Sequence, residues 1–180
     1  MKKILLSLMI LSSLALSLAA GDSGQQVKLP ARGDDWVAGP GPEWELNYDA
    51  ALERAGKEHK YIYALSTGSD WCGWCIKLRN DVLTTSKFKQ FAKKNLILLY
   101  LDSPSKNPLP AEQQKHNMLV RNMLGLNGGV PSAVVLDENG KVVARRPGYG
   151  NLNAYMDFLK QAVKAKAEDF SEGKDTRRRR

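Results

Sequence analysis

Cysteine and histidine are scarce in this chain: 180 residues contain two of each. A structural zinc site needs about four cysteine or histidine ligands, and His59 and His116 do not stand at ligand spacing from Cys72 and Cys75. Covalent haem attachment needs Cys-x-x-Cys-His, and Ile76 occupies the histidine position. No long apolar span is present either. The run from Ile4 to Leu18 is short for a membrane crossing and includes Ser7, Ser12, Ser13 and Ser17. No cysteine follows it, which excludes a lipid anchor at that point. Acidic residues are outnumbered 19 to 27, for a net charge of +8. Lys2 and Lys3 and the final Arg177–Arg180 carry most of that excess, and without them the domain is only mildly basic. Nucleic-acid binding is therefore not expected, nor is a metal or other cofactor.

What is present is concentrated around the cysteines. The apolar run Tyr61-Ile62-Tyr63-Ala64-Leu65 reads as a strand, Ser69-Asp70-Trp71 as a short loop, and the residues from Cys72 to Leu83 as a helix. Cys75, Leu78 and Val82 share its apolar face, so Cys75 is expected to face inward and Cys72, at the first turn, to be exposed. A helix start offers unpaired N–H groups and the positive end of the macrodipole, which favour a thiolate at Cys72. Two intervening residues put the sulfurs within disulfide reach. A purely structural bridge is the competing reading, although so short a loop makes a poor staple.

The segment Thr67-Gly68-Ser69-Asp70-Trp71-Cys72-Gly73-Trp74-Cys75 resembles the active-site segment of the thioredoxin superfamily, in particular secreted bacterial thioredoxin-like proteins. Gly129-Val130-Pro131-Ser132, ahead of Ala133-Val134-Val135-Leu136, resembles the family's second motif, in which a cis proline faces the cysteines. The resemblance implies an α/β thioredoxin fold, a central mixed sheet of about four strands flanked by helices, over residues 43–166. It implies thiol-disulfide exchange, with Cys72 as nucleophile and Cys75 as resolving cysteine. Trp71, Gly73, Trp74, Val130 and Pro131 would then contact substrate. Implied partners are protein thiols and disulfides and a membrane-bound redox protein, and a monomer is expected. A non-catalytic binding module with an inert Cys72–Cys75 bridge is the alternative.

Two departures stand out. Many family members carry a buried acid six residues before the nucleophile; Ser66, preceded by Leu65, occupies that spacing here. Gly73-Trp74 replaces the Gly-Pro of reducing thioredoxins, so the redox direction is not transferable.

Residues 1–20, with Lys2, Lys3, the apolar run and Ser17-Leu18-Ala19, read as a secretory signal peptide, which points to the periplasm. Residues 21–42 read as a flexible arm, with Trp36 docking on the domain, and residues 167–180 as a disordered basic tail. Trp44, Tyr48, Ala51, Leu52 and Ala55 fit a first helix over 43–60. Asn95–Asp102 fits a doubly covered strand, Ala111–Leu124 a helix with His116 half-buried, and Ser132–Arg145 a hairpin turning at Asn139-Gly140. A last helix over 151–166 carries Leu152, Tyr155, Met156, Leu159 and Val163.

Overall fold

The structure, a computed structural model, describes residues 27–37 and 39–164. The signal peptide and the basic tail expected from the sequence lie outside them. In chain order the elements are β1 (Trp44–Glu45), α1 (Tyr48–Glu58), β2 (Tyr61–Thr67), α2 (Gly73–Leu78), a π-helical turn (Arg79–Leu83), α3 (Ser86–Asn95), β3 (Leu96–Asp102), α4 (Ala111–Met123), β4 (Ser132–Leu136), β5 (Val142–Pro147) and α5 (Leu152–Ala162). The sheet order is β1-β3-β2-β4-β5. β1, β3 and β2 run parallel, β4 adds antiparallel to β2, and β5 adds antiparallel to β4.

Both faces of this sheet are covered, which explains the near-continuous apolar strands. On one face Tyr63, Leu65, Leu98 and Tyr100 pack with Leu78, Val82, Phe88, Tyr155 and Leu159 from α2, the π turn, α3 and α5. On the other, Ile62, Ala64, Ile97 and Leu99 pack with Ala51, Ala55 and Val120 from α1 and α4. Alternation along each strand assigns neighbours to opposite layers.

Several expectations change. The sheet has five strands, because a two-residue β1 adds to β3 through Trp44↔Leu98 and Glu45↔Leu99. The first helix consequently starts at Tyr48: Asn47 caps it, its Oδ1 accepting the Ala50 N–H at 3.0 Å, while Trp44 lies on the strand with its ring edge-on to Tyr63 and Tyr100. The arm is pinned where it is described. Gln113 exchanges two hydrogen bonds with the Val37 backbone, at 2.8 and 2.9 Å, and Trp36 is buried against the His116 ring, centroids 5.0 Å apart.

His116 is wholly buried rather than half-buried. Its Nε2 accepts the Tyr48 N–H at 3.1 Å, and Nδ1 faces Asn117 Oδ1 at 3.1 Å, an arrangement that suits the neutral ring. Burial holds its pKa below the ordinary histidine value. As pH falls through about 6.5, the unfolded chain takes up a proton that the folded ring refuses, so stability drops with falling pH below neutrality. In His116→Gln that part of the pH dependence disappears, and stability at pH 7 falls by about 1–3 kcal/mol if the Tyr48 amide is left unpaired. Urea titrations of both proteins at pH 5 and pH 7 check this; an unchanged pH dependence in the variant contradicts it.

Candidate active site

β2 ends at Thr67 in the middle of the sheet, and the chain turns through Gly68–Trp71 into α2. Cys72 is the N-cap of α2, and Cys72 and Cys75 are bonded to each other, with Cα atoms 5.2 Å apart. The Cys75 backbone N–H points to Cys72 Sγ at 3.2 Å. This amide, in the first turn of the helix, also donates to the Cys72 carbonyl at 3.0 Å, and it stabilises negative charge on the sulfur once the bridge opens. Opposite stands the loop before β4. Val130-Pro131 is a cis peptide, and the Val130 carbonyl oxygen lies 3.6 Å from Cys72 Sγ. The Pro131 carbonyl accepts the Gly148 N–H at 2.8 Å, tying this loop to the end of β5.

The structure thus brings Cys72, Cys75, Val130 and Pro131 together. Gly73 is exposed at the first position of α2 and has open space beside it. Trp71 and Trp74 are the exposed rim, at 52% and 60%. Trp71 Nε1–H donates to the Ser103 carbonyl at 2.8 Å, and the Trp74 ring lies 5.5 Å from that of Tyr149. A cleft of about 330 Å³ runs beside Val130 and Pro131, with Gly128, Gly129, Pro147 and Gly148 on its walls.

Cys72 is not exposed as the sequence suggested: only 7% of it is accessible, against 4% for Cys75. Its side chain folds back over the helix start toward the Cys75 amide and the Val130 carbonyl, and the flanking tryptophans take the exposed positions. The position under the resolving cysteine also differs from the one that spacing indicates. Leu65 lies on the Cys75 side of β2 and lines a small cavity with it. Ser66, one residue on, belongs to the opposite face, where its buried Oγ has no hydrogen-bond partner among the described residues.

Asp70 was not singled out from the sequence. Its carboxylate accepts backbone N–H bonds from Ser105, Lys106 and Asn107 at 2.8, 2.7 and 3.1 Å, and these hold its pKa below the usual carboxylate range, the Ser105 bond foremost. It clasps the proline-rich loop after β3 to the active-site loop. An aspartate just before Trp-Cys, with a proline-rich segment elsewhere, was the available signal.

Gly68 is needed for close approach. A Cβ there would lie 2.4 Å from Cε2 of the Trp71 indole. Gly68→Ala should therefore push Trp71 off the site and lower kcat/KM for a protein disulfide by about tenfold or more. Kinetics with protein and small-molecule disulfides check this: the protein substrate suffers more, and equal, negligible losses contradict it.

A mixed sheet carrying a cysteine pair at a helix start, opposite a cis-proline loop, defines the thioredoxin class. The chain belongs to the thioredoxin-like family, whose domain model matches residues 48–163. It is 37% identical to the disulfide bond reductase DsbH of Chlamydia pneumoniae over 149 residues, 81% of this chain and 83% of that protein. Among solved structures, a DsbH oxidoreductase superposes with a TM-score of 0.62 at 35% identity, covering 80% of this chain and 96% of the other. A thioredoxin from Thermus thermophilus has a TM-score of 0.54 at 18% identity, covering 76% and 97%, a likeness of fold.

Proposed function

We propose that this chain is a thiol-disulfide oxidoreductase of the periplasm that reduces disulfides in protein substrates. The observation that carries the reading is Cys72 Sγ, placed between the Cys75 amide and the Val130 carbonyl at the start of α2. The reducing direction is supported by the likeness to a protein named a disulfide bond reductase. The location is supported by the signal-peptide pattern of residues 1–20.

In the reduced protein the Cys72 thiolate attacks one sulfur of a substrate disulfide. That bond breaks, its electron pair leaves with the other substrate sulfur, and a mixed disulfide joins Cys72 to substrate. Cys75 then attacks Cys72, frees the second substrate thiol and leaves the Cys72–Cys75 bridge. The substrate gains two electrons and the pair loses two, so a membrane-bound donor must restore them. Val130 and Pro131 border the cleft along which a substrate chain would lie, Gly73 leaves the approach open, and Trp71 and Trp74 supply apolar contact.

The low exposure of Cys72 favours the second reading, a binding module with an inert bridge. Reduction of insulin by dithiothreitol separates the two. Catalysis by the full chain, together with alkylation of reduced Cys72 faster than that of free cysteine at pH 7, supports the enzyme; ordinary alkylation without catalysis supports the inert bridge.

A further inference from the structure

A buried thiol that has to become a nucleophile needs somewhere to send its proton. Cys75 is buried, and Leu65, the strand residue that shares its surroundings, has no group to receive one. Behind Cys75 lies a cavity of about 10 Å³, the scale of one water molecule, walled by Leu65, Thr67, Ser69, Arg79 and Tyr100 among others. Ser69, Arg79 and Tyr100 also border an outward-opening cleft of about 270 Å³, and the Asp102 carboxylate lies on that cleft. The two spaces share a wall.

Two hydroxyls on that wall, those of Ser69 and Tyr100, can both accept and pass on a proton, and Ser69 is the one whose residue is also hydrogen-bonded to Asp102. Its side chain lies near those of Tyr100 and Asp102 and lowers the pKa of each. Its backbone N–H also donates to Asp102 Oδ1 at 2.9 Å, an oxygen that accepts the Ser103 N–H at 2.8 Å as well. Asp102 is 8% exposed and sits at the end of β3, level with Thr67 at the end of β2.

We propose that Asp102 is the proton acceptor that serves Cys75, with Ser69 as the relay between them. The proposal rests on the reading of Cys72 and Cys75 as a redox pair. In the resolving step the Cys75 proton crosses the small cavity to the Ser69 hydroxyl, whose own proton passes to the Asp102 carboxylate. The freed electron pair of Cys75 attacks Cys72 Sγ. The bond between Cys72 and the substrate sulfur breaks, the Cys72–Cys75 bond forms, and the substrate sulfur leaves with the electron pair. Asp102 returns its proton to solvent through the outer cleft.

The surrounding charges suit this task. Desolvation raises the Asp102 pKa above the usual carboxylate range, toward that of a thiol, and the nearby Asp70 carboxylate adds to it; the hydrogen bonds from Ser69 and Ser103 pull the other way. Tyr100 stays protonated, since burial raises its pKa. Arg79 shares the outer cleft with Asp102, and Lys115 and Arg121 of α4 line a further cleft with it.

The full-length reduced chain, mixed with Ellman's reagent in a stopped-flow instrument, reports both steps. A first release of thionitrobenzoate marks the mixed disulfide at Cys72, and a second marks its resolution by Cys75. In Asp102→Asn the ratio of second-phase to first-phase rate at pH 7 should fall on the order of 10- to 100-fold, at or below the contribution of a positioned base. The second phase should then follow the ionisation of the Cys75 thiol alone, rising about tenfold per pH unit below that thiol's pKa. Ser69→Ala keeps the backbone N–H bond to Asp102 and should show the same change of pH profile, so it decides the matter should Asp102→Asn fail to fold. A second phase with unaltered rate and pH profile in the folded variants overturns the proposal. A wild-type chain that gives no first phase overturns the redox reading beneath it.

Discussion

Cys72→Ser is expected to abolish disulfide exchange, whereas Cys75→Ser is expected to capture substrate and hold it. The first result follows because the sulfur at position 72 is the one beside the Val130 carbonyl at the cleft and the one that receives a helix-start N–H. A serine hydroxyl at that position forms no disulfide, so turnover should drop by at least about 10³-fold, as expected for a lost nucleophile. The second result follows because the stabilising donor is the backbone amide of residue 75, which serine retains. Cys72 in that variant is still activated, attacks substrate and finds no sulfur to release it. Non-reducing gels and mass spectrometry after incubation with an oxidised protein should show a mixed disulfide in Cys75→Ser and none in Cys72→Ser. Both variants lose a bridge that closes only a short loop, and hence lose similar, modest stability, so folding does not account for the contrast. Mixed disulfides formed equally well by Cys72→Ser would mean that Cys75 is the nucleophile.

The largest effect on stability is expected from Phe88→Ala. Phe88 lies in the first turn of α3, where Thr85 Oγ1 accepts its N–H at 3.3 Å, and it is 1% exposed. Its ring sits edge-on to Tyr63, centroids 6.0 Å apart, and the Tyr63 hydroxyl is paired at 2.7 Å with that of Tyr155 from α5. One side chain therefore fastens α3 to the central strand beside the Tyr63–Tyr155 contact. Truncating a buried phenylalanine costs about 3–5 kcal/mol in lost transfer energy and residual cavity, against a total stability of about 5–15 kcal/mol. With an m-value of about 2 kcal/mol/M in urea, the midpoint should fall by about 2 M. A fall under about 0.5 M would mean that the layer between β2 and α3 closes over the gap.

Much of this architecture was legible because burial on both faces leaves an unbroken apolar run, as in Tyr61–Leu65 and Leu96–Leu101, and because Asn139-Gly140 marks a hairpin. β1 was not legible. Two residues carry no period, and Trp44 stands four before Tyr48, so it imitates a helical stripe. The docking of Trp36 was anticipated, but the clasp of Val37 by Gln113 spans 76 residues and rests on backbone groups that leave no local trace. At the site, the cysteine pair and the Val130-Pro131 loop were readable as motifs. The residue under Cys75 was not, because counting back from Cys72 depends on loop length, and a slip of one residue moves a strand side chain to the other face. That slip separates Ser66 from Leu65. Asp102 and Ser69 escaped for a related reason: they stand 33 residues apart and meet only because β2 and β3 pair in parallel and end side by side at Thr67 and Asp102. The enclosure of Cys72 follows from the fold of its own side chain over the helix start, which residue type alone does not specify.

The central claim, that Cys72–Cys75 is a redox-active pair working as a reductant, is tested most directly by its equilibrium reduction potential. The protein would be equilibrated in glutathione buffers of graded ratio, quenched with an alkylating agent and read by mass shift. The account predicts a potential near the reducing end of the thioredoxin range, about −270 mV. A value near −120 mV would contradict the reducing direction by marking a disulfide donor, and a pair still oxidised well below about −300 mV would mark a structural bridge and contradict the claim altogether.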